Sequence, residues 1–183
     1  MHPNHILICI HSRKEKGGKV MQTGKMKAAE KLELYGNSIL RIAATYVKNK
    51  QDAEDILQDV LVKYMTKDPS FVNDDHEKAW FLRVAINMAK NKCKSAAFRL
   101  HTSLEENVSS VDEYEYNSVL EAVYQLPTKY KEIIYLYYYE EYSVKEIAVL
   151  LHKKEATVKS LLRRGRERLS MVLKEDEESA YGY

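Results

Sequence analysis

The chain has 183 residues, 45% of them hydrophobic and 31% charged, which suffices for one ordinary domain or two small ones and excludes a peptide or a disordered tail. Its 29 basic and 27 acidic residues nearly cancel, so affinity for a charged partner depends on where the charges sit rather than on their sum. Six glycines, three prolines and two cysteines are too few for a turn-rich β protein or a disulfide scaffold and point to helices in a reducing, cytoplasmic setting, and no apolar run nears the roughly 20 residues that span a bilayer.

Residues 1–25 read as a disordered extension or a mis-assigned start. They lack helical periodicity, and Lys14-Glu15-Lys16-Gly17-Gly18, just ahead of Met21, resembles a translated ribosome-binding site, which would move the start to Met21 or Met26. The alternative is a basic N-terminal arm. A first helical domain is expected over 26–98. From Ala28 to Val47, Leu32, Tyr35, Ile39, Ile42, Ala43 and Tyr46 fall on one helical face. A second helix, Asp52 to Met65, turns Ile56, Leu57, Val60, Leu61 and Tyr64 inward and carries Asp52, Asp55 and Asp59 on another face; Pro69 ends it. A third, about Glu77 to Ser95, buries Trp80, Phe81, Val84, Ala85 and Met88, and contributes the bases Arg83, Lys90, Lys92 and Lys94. A basic helix should therefore pack against an acidic one.

Residues 99–117 change character. Glu105, Glu106, Asp112, Glu113 and Glu115 lie among Ser and Asn with little apolar periodicity, the pattern of an acidic linker or, failing that, of one long solvated loop. A second helical domain is expected over 118–174, followed by an acidic tail at 175–183. Its helices run from Val119 to Leu126, from Lys129 to Tyr139, and then through two closely spaced segments. Ser143-Val144-Lys145-Glu146 has the spacing of a capping box, after which Ile147, Ala148, Leu150 and Leu151 face inward. Beyond a turn at His152 and Lys153, a helix from Glu155 to about Leu173 buries Val158, Leu161, Leu162, Gly165, Leu169 and Val172. Ala156, Ser160, Arg163 and Glu167 oppose that stripe, flanked by Thr157, Lys159 and Arg164. A short capped helix, a tight turn and a basic second helix make a helix-turn-helix. The fold class is thus all-α: two small helical domains joined by an acidic linker, the second a helix-turn-helix domain.

Lys153, Lys154, Lys159, Arg163, Arg164, Arg166 and Arg168 stand against only Glu155 and Glu167 in this stretch, an electrostatic footprint for phosphates. Thr157, Lys159, Ser160 and Arg163 are placed to donate to base edges, with Arg163 able to fork onto guanine; Arg164, Arg166 and Arg168 suit phosphates. Tyr135, Tyr137, Tyr138, Tyr139 and Tyr142 read as packing of the preceding helix, and His101 and His152 as surface residues. In the third helix Trp80 and Phe81 are core by default, yet an aromatic beside Arg83, Asn87, Lys90 and Asn91 also suits single-stranded DNA, whose bases stack on rings. Asp52, Glu54, Asp55 and Asp59 have no accompanying His, so they fit a solvated or protein-binding face better than a metal site. No phosphate loop, nucleophile elbow or zinc spacing appears. No catalytic residue, metal, cofactor or small-molecule substrate is expected.

Asp52-Ala53-Glu54-Asp55-Ile56-Leu57-Gln58-Asp59-Val60, then Trp80-Phe81-Leu82-Arg83-Val84-Ala85-Ile86-Asn87, then Leu126-Pro127 and Thr157-Val158-Lys159-Ser160, resemble in order and spacing the bacterial sigma factors of the extracytoplasmic-function group, over about Leu32 to Leu173. The resemblance implies a region 2-like domain that docks on core RNA polymerase and a region 4-like domain. Asp52, Asp55, Gln58 and Asp59 would meet the clamp coiled coil of the largest subunit. Trp80, Arg83, Asn87, Lys90 and Asn91 would hold the single-stranded, melted minus-ten element, from which a base leaves the stack. Lys153, Ala156, Thr157, Lys159, Ser160, Arg163, Arg164 and Arg166 would read the duplex minus-thirty-five element, with the polymerase flap region a further contact. The linker would mimic nucleic acid in a basic channel of the polymerase. It also implies an anti-sigma factor, in many members membrane-anchored. Three departures bear on base preference: His152 stands where the family commonly has Gly, Lys154 where Ser often caps the recognition helix, and Leu161 where Arg often follows the Ser. An autonomous helix-turn-helix regulator and a metal-dependent nuclease built on Asp52 to Asp59 are the competing readings.

Overall fold

The computed structural model describes residues 18–47, 49–100 and 118–180, with side chains over 27–47, 49–95 and 119–174. The described residues form helices and no strands: α1 (Gly18–Ala44), α2 (Lys50–Lys67), α3 (Asp74–Leu100), α4 (Ser118–Gln125), α5 (Thr128–Tyr138), α6 (Val144–Leu151) and α7 (Glu155–Ala180). The linker expected at 99–117 lies outside the described residues from His101 on, as do residues 1–17 and 181–183.

Local chemistry sets the helix ends. Asn49 caps α2, its side chain accepting the Asp52 amide at 2.7 Å. At the other end Asp68 takes a left-handed backbone (φ 42°) and its N–H closes on the Tyr64 carbonyl, ahead of Pro69. Asn73 performs the same capping for α3, accepting the His76 amide at 2.8 Å, and Asp74, Asp75 and Glu77 fill a first turn whose dipole favours acids. The capping box of α6 is formed in both directions: Ser143 accepts the Glu146 amide, and the Glu146 carboxylate takes the Ser143 amide at 2.8 Å and its hydroxyl at 2.6 Å. These bonds hold the Glu146 carboxyl below its ordinary range.

Helices α1, α2 and α3 enclose the first core, in which Ile39, Ile42, Ile56, Leu57, Val60, Leu61 and Phe81 are fully buried. Phe81 sits between Tyr35 and Tyr64, with ring centroids 5.0 and 5.2 Å away. The buried Glu77 ties α3 to α1, accepting from Lys31 and from the Tyr35 hydroxyl at 3.0 Å each, and burial together with this carboxylate pushes Tyr35 up to about 12. Helices α4 to α7 enclose the second core around Val123, Ile133, Ile134, Leu136, Ile147, Val158 and Leu162. The buried residues of both halves belong to one continuous cluster.

Three elements differ from the expectation. Helix α1 starts at Gly18 rather than near Ala28, because Met, Gln, Lys and Ala favour helix without supplying an apolar stripe. Helix α7 runs on to Ala180, so the tail expected at 175–183 is largely helical backbone. Helix α3 buries Leu82, Ile86 and Ala89 as well as the stripe through Phe81 and Ala85. It packs against α6 of the other half as well as against α1 and α2.

Candidate nucleic-acid interface

The recognition helix α7 is seated by Gly165. A Cβ at this position would lie 3.0 Å from Ile134 Cγ1 and 3.5 Å from Tyr130 Cβ, so only a bare Cα lets α7 approach α5 this closely. That approach, with Val158 and Leu162 buried beside it, turns the opposite face outward. Ala156, Thr157, Lys159, Arg163, Arg164 and Arg166 are exposed, and Ser160 and Lys153 half-buried. The turn before α7 is closed by His152 in the left-handed region (φ 53°), whose N–H bonds the Ala148 and Val149 carbonyls, while Lys153 N–H reaches Ala148 O at 2.9 Å. This is a Schellman closure, normally a glycine's position, and it accounts structurally for the unusual His152. Leu161, another departure, packs partly buried against the core.

The bases of this helix are not equally free. Arg163 is paired with Glu167 one turn on, both well exposed; such pairs contribute little and exchange readily for a better acceptor. Arg166 lies over the Tyr137 and Tyr138 rings at 5.3 and 5.5 Å, and Arg168 over Tyr130 at 5.3 Å. Their guanidinium groups are thereby held against α5 by cation–π contact. Of the tyrosines expected to pack the helix before the helix-turn-helix, Tyr135 is buried and stacks on Tyr139 at 5.5 Å, Tyr137, Tyr139 and Tyr142 pack partly buried against the core, and Tyr138 is exposed. Beside Arg166 an open groove of about 640 Å³ is lined by Val119, Val123, Ile134, Tyr138, Leu169 and Leu173.

In the first half Trp80 belongs to an aromatic cluster, edge-on to Phe81, Phe71 and Tyr64 at 5.1 to 6.2 Å. It is half-buried, which gives the ring a core role while leaving one part accessible. Asn87 and Asn91 are exposed along the same face of α3, and Arg83 is half-buried with its Nε lacking a partner. Lys90 is instead engaged by Glu132 of α5, at 3.4 Å. The expected pairing of acidic and basic helices is present: Lys92 of α3 bridges Asp52 at 2.6 Å and Asp55 at 3.0 Å on α2. The Lys92 and Gln51 hydrogen bonds hold the Asp55 carboxyl below its usual range despite opposing desolvation. Asp59 is exposed and Gln58 half-buried. Among the described residues no cluster of His, Cys, Asp or Glu could hold a metal, and no helix is long and apolar enough to cross a membrane.

Sequence reasoning did not single out Glu132 and Glu140, both buried. The hint at Glu132 is its place directly before the apolar run Ile133-Ile134-Tyr135-Leu136.

Residues 32–99 match the family Sigma-70 region 2, and residues 116–169 match Sigma-70, region 4. The chain is 30% identical over 163 residues to RNA polymerase sigma factor SigV of Bacillus subtilis, covering 86% of this chain and 98% of that protein. It is 32% identical over 158 residues to ECF RNA polymerase sigma factor SigM of the same organism, covering 80% and 95%. Its fold is similar to that of the sigma factor RpoE solved with the anti-sigma factor NepR from Bartonella quintana, with TM-score 0.69, 24% identity, and coverage of 80% of this chain and 96% of that one. CnrH, solved with the cytosolic domain of CnrY, is similar with TM-score 0.59, 20% identity, and coverage of 86% and 96%. An exposed basic recognition helix, an amide-bearing aromatic helix and an acidic helix, in this order and over this length, accord with those matches, and the chain belongs to the extracytoplasmic-function sigma factors of RNA polymerase.

Proposed function

We propose that the two halves of this sigma factor read two different parts of a promoter while held on core RNA polymerase. The exposed face of α7 reads duplex DNA at the upstream element: Thr157, Lys159, Ser160 and Arg163 address base edges, and Arg164 and Lys153 hold phosphates. Asn87, Asn91, Arg83 and the open part of Trp80 receive the melted strand, where rings stack bases and cations follow the backbone. Lys90 joins them once released from Glu132. Asp59 and Gln58, with Asp52 and Asp55 held in line by Lys92, meet the polymerase clamp, and the apolar groove between α4, α5 and α7 receives an apolar segment of the flap region. Arg166, resting on Tyr137 and Tyr138 at the rim of that groove, reaches phosphate only from the edge of the DNA footprint. An anti-sigma partner that covers these surfaces is part of the same reading, supported by the similarly folded sigma factor RpoE, solved in complex with the anti-sigma factor NepR.

The observation that carries the reading is the seating of α7 by Gly165 behind a fully formed capping box, which fixes a basic face outward at defined depth. The test is promoter selection from a randomised upstream element by polymerase carrying wild type or Arg163→Ala. The variant should lose preference at one base position while keeping its start sites. Identical selected sequences would remove Arg163 from the readout.

A further inference from the structure

Helix α7 continues past Lys174 to Ala180, and positions 175–178 of that continuation are Glu, Asp, Glu and Glu. Its last turn holds no base, so four acids crowd the end of a helix whose dipole favours cations there. Lys174 is the only base three or four positions away from any of them. The complementary charge lies earlier on the same helix, where Arg163, Arg164, Arg166 and Arg168 precede the apolar stretch through Leu169, Met171, Val172 and Leu173. Arg166 and Lys174 stand on the rim of the open groove whose walls include Val119, Tyr138, Leu169 and Leu173. Among the described residues neither cation is paired with a carboxylate, and the rings under Arg166 leave its charge without a counter-ion. Val119, Tyr138 and Met171 are 40, 51 and 62% exposed, three large apolar side chains left in water around this part of α7.

We propose that this groove receives α7 of a second copy of the chain, antiparallel to its own α7, in a two-fold symmetric dimer. A two-fold axis presents the same patch twice, and a helix that carries bases, an apolar stretch and acids in that order is complementary to itself only when antiparallel. With the crossing between Met171 and Val172, residues 175–178 of each copy stand opposite 165–168 of the other, and the apolar stretches meet between them. The groove walls supply the affinity. The exposed rim charges contribute little energy but fix the direction of the incoming helix, since a parallel arrangement would set acid against acid. One helix in one groove on each side is a small interface, so the dimer is transient and weakens as salt rises. The flap segment proposed for the same groove displaces the second copy, which makes the dimer a form of the chain free of polymerase.

The test is sedimentation equilibrium of the full chain in a dilution series that reaches about 1 mM, where even a millimolar association is half formed. Wild type should rise from one chain mass toward two as concentration increases. Two charge reversals probe the pairing: Glu175→Lys/Asp176→Lys/Glu177→Lys/Glu178→Lys makes both ends of the helix basic, and Arg166→Glu/Arg168→Glu/Lys174→Glu makes both acidic. Each alone should stay at one chain mass. Mixed in equal amounts they should return to two, because the basic end of the first variant then lies on the acidic groove of the second, and the unchanged acidic end of the second on the basic groove of the first. Val119→Glu, at an exposed wall position, is an independent variant that should also stay at one chain mass. A single chain mass for wild type throughout, a dimer that the reversals or Val119→Glu leave intact, or a mixture that remains at one chain mass overturns the proposal. The measurement uses neither polymerase nor DNA, so its failure leaves the promoter-reading assignment standing, and failure of that assignment leaves the dimer standing.

Discussion

Gly165→Ala probes the seating of the recognition helix directly. In a solvent-exposed helix this change stabilises by about 1 kcal/mol through helix propensity. Here the added Cβ would stand 3.0 Å from Ile134 Cγ1 and 3.2 Å from Cδ1, about half an ångström inside ordinary carbon contact. Ile134 is 1% exposed and Tyr130 Cβ closes the other side at 3.5 Å, so relief requires α5 and α7 to move apart. Overpacking of this kind costs about 1–3 kcal/mol, leaving a net loss of about 0–2 kcal/mol after the propensity gain. Urea unfolding followed by far-ultraviolet circular dichroism measures it. The sharper form is a double-mutant cycle: Ile134→Ala alone should cost about 2–5 kcal/mol, and in that background Gly165→Ala should turn neutral or stabilising, with a coupling of about 0.5–3 kcal/mol. A full propensity gain in the wild-type background, additive with Ile134→Ala, would show that no close approach exists and would remove the stated reason for the exposure of the Arg163 face.

Ser143→Ala removes the two bonds that the hydroxyl makes, to the Glu146 amide and to its carboxylate, while the residue 143 backbone N–H keeps its own bond to that carboxylate, and should cost about 1 kcal/mol. The Glu146 carboxyl sits below its usual value of 4.5 because Ser143 donates to it. A depressed carboxylate contributes stability that is complete above its unfolded value and is lost as pH falls through the folded one, so the difference between wild type and variant should shrink below about pH 4.5; a constant difference in acid denaturation series would assign the cap to the hydroxyl alone. His152→Gly should stabilise by about 0.5 kcal/mol, since the left-handed conformation costs a side-chain-bearing residue about 1–2 kcal/mol and glycine returns part of that as unfolded-state entropy. A lowered melting temperature would mean that the imidazole makes a contact of its own.

Much of the fold could be read from periodicity because most helices bury a single stripe. Ile56, Leu57, Val60, Leu61 and Tyr64 of α2, and Val158, Leu162 and Gly165 of α7, are inward as expected, and Ser143 with Glu146 marked the start of α6 to the residue. What escaped lies where a helix is covered twice. Leu82 and Ile86 look like filler on a one-stripe wheel, yet both are buried in a helix that packs against α1, α2 and α6, and α1 extends back to Gly18 on propensity rather than pattern. The site divides in the same way. Exposure of Lys159, Arg163 and Arg164 follows from the stripe they oppose, whereas the engagement of Arg166 by Tyr137 and Tyr138, and of Lys90 and Lys153 by Glu132, depends on neighbours that are distant in sequence. A buried Glu has no signature of its own when its partners lie in the other half of the chain.

The account stands most directly on run-off transcription by purified core RNA polymerase over a promoter library, with and without this protein. It predicts transcripts from defined start sites only when the protein is present, with a shared upstream element among the templates used. Polymerase indifferent to the protein, together with tight duplex binding by the protein alone, would contradict it and leave a free-standing helix-turn-helix regulator in its place.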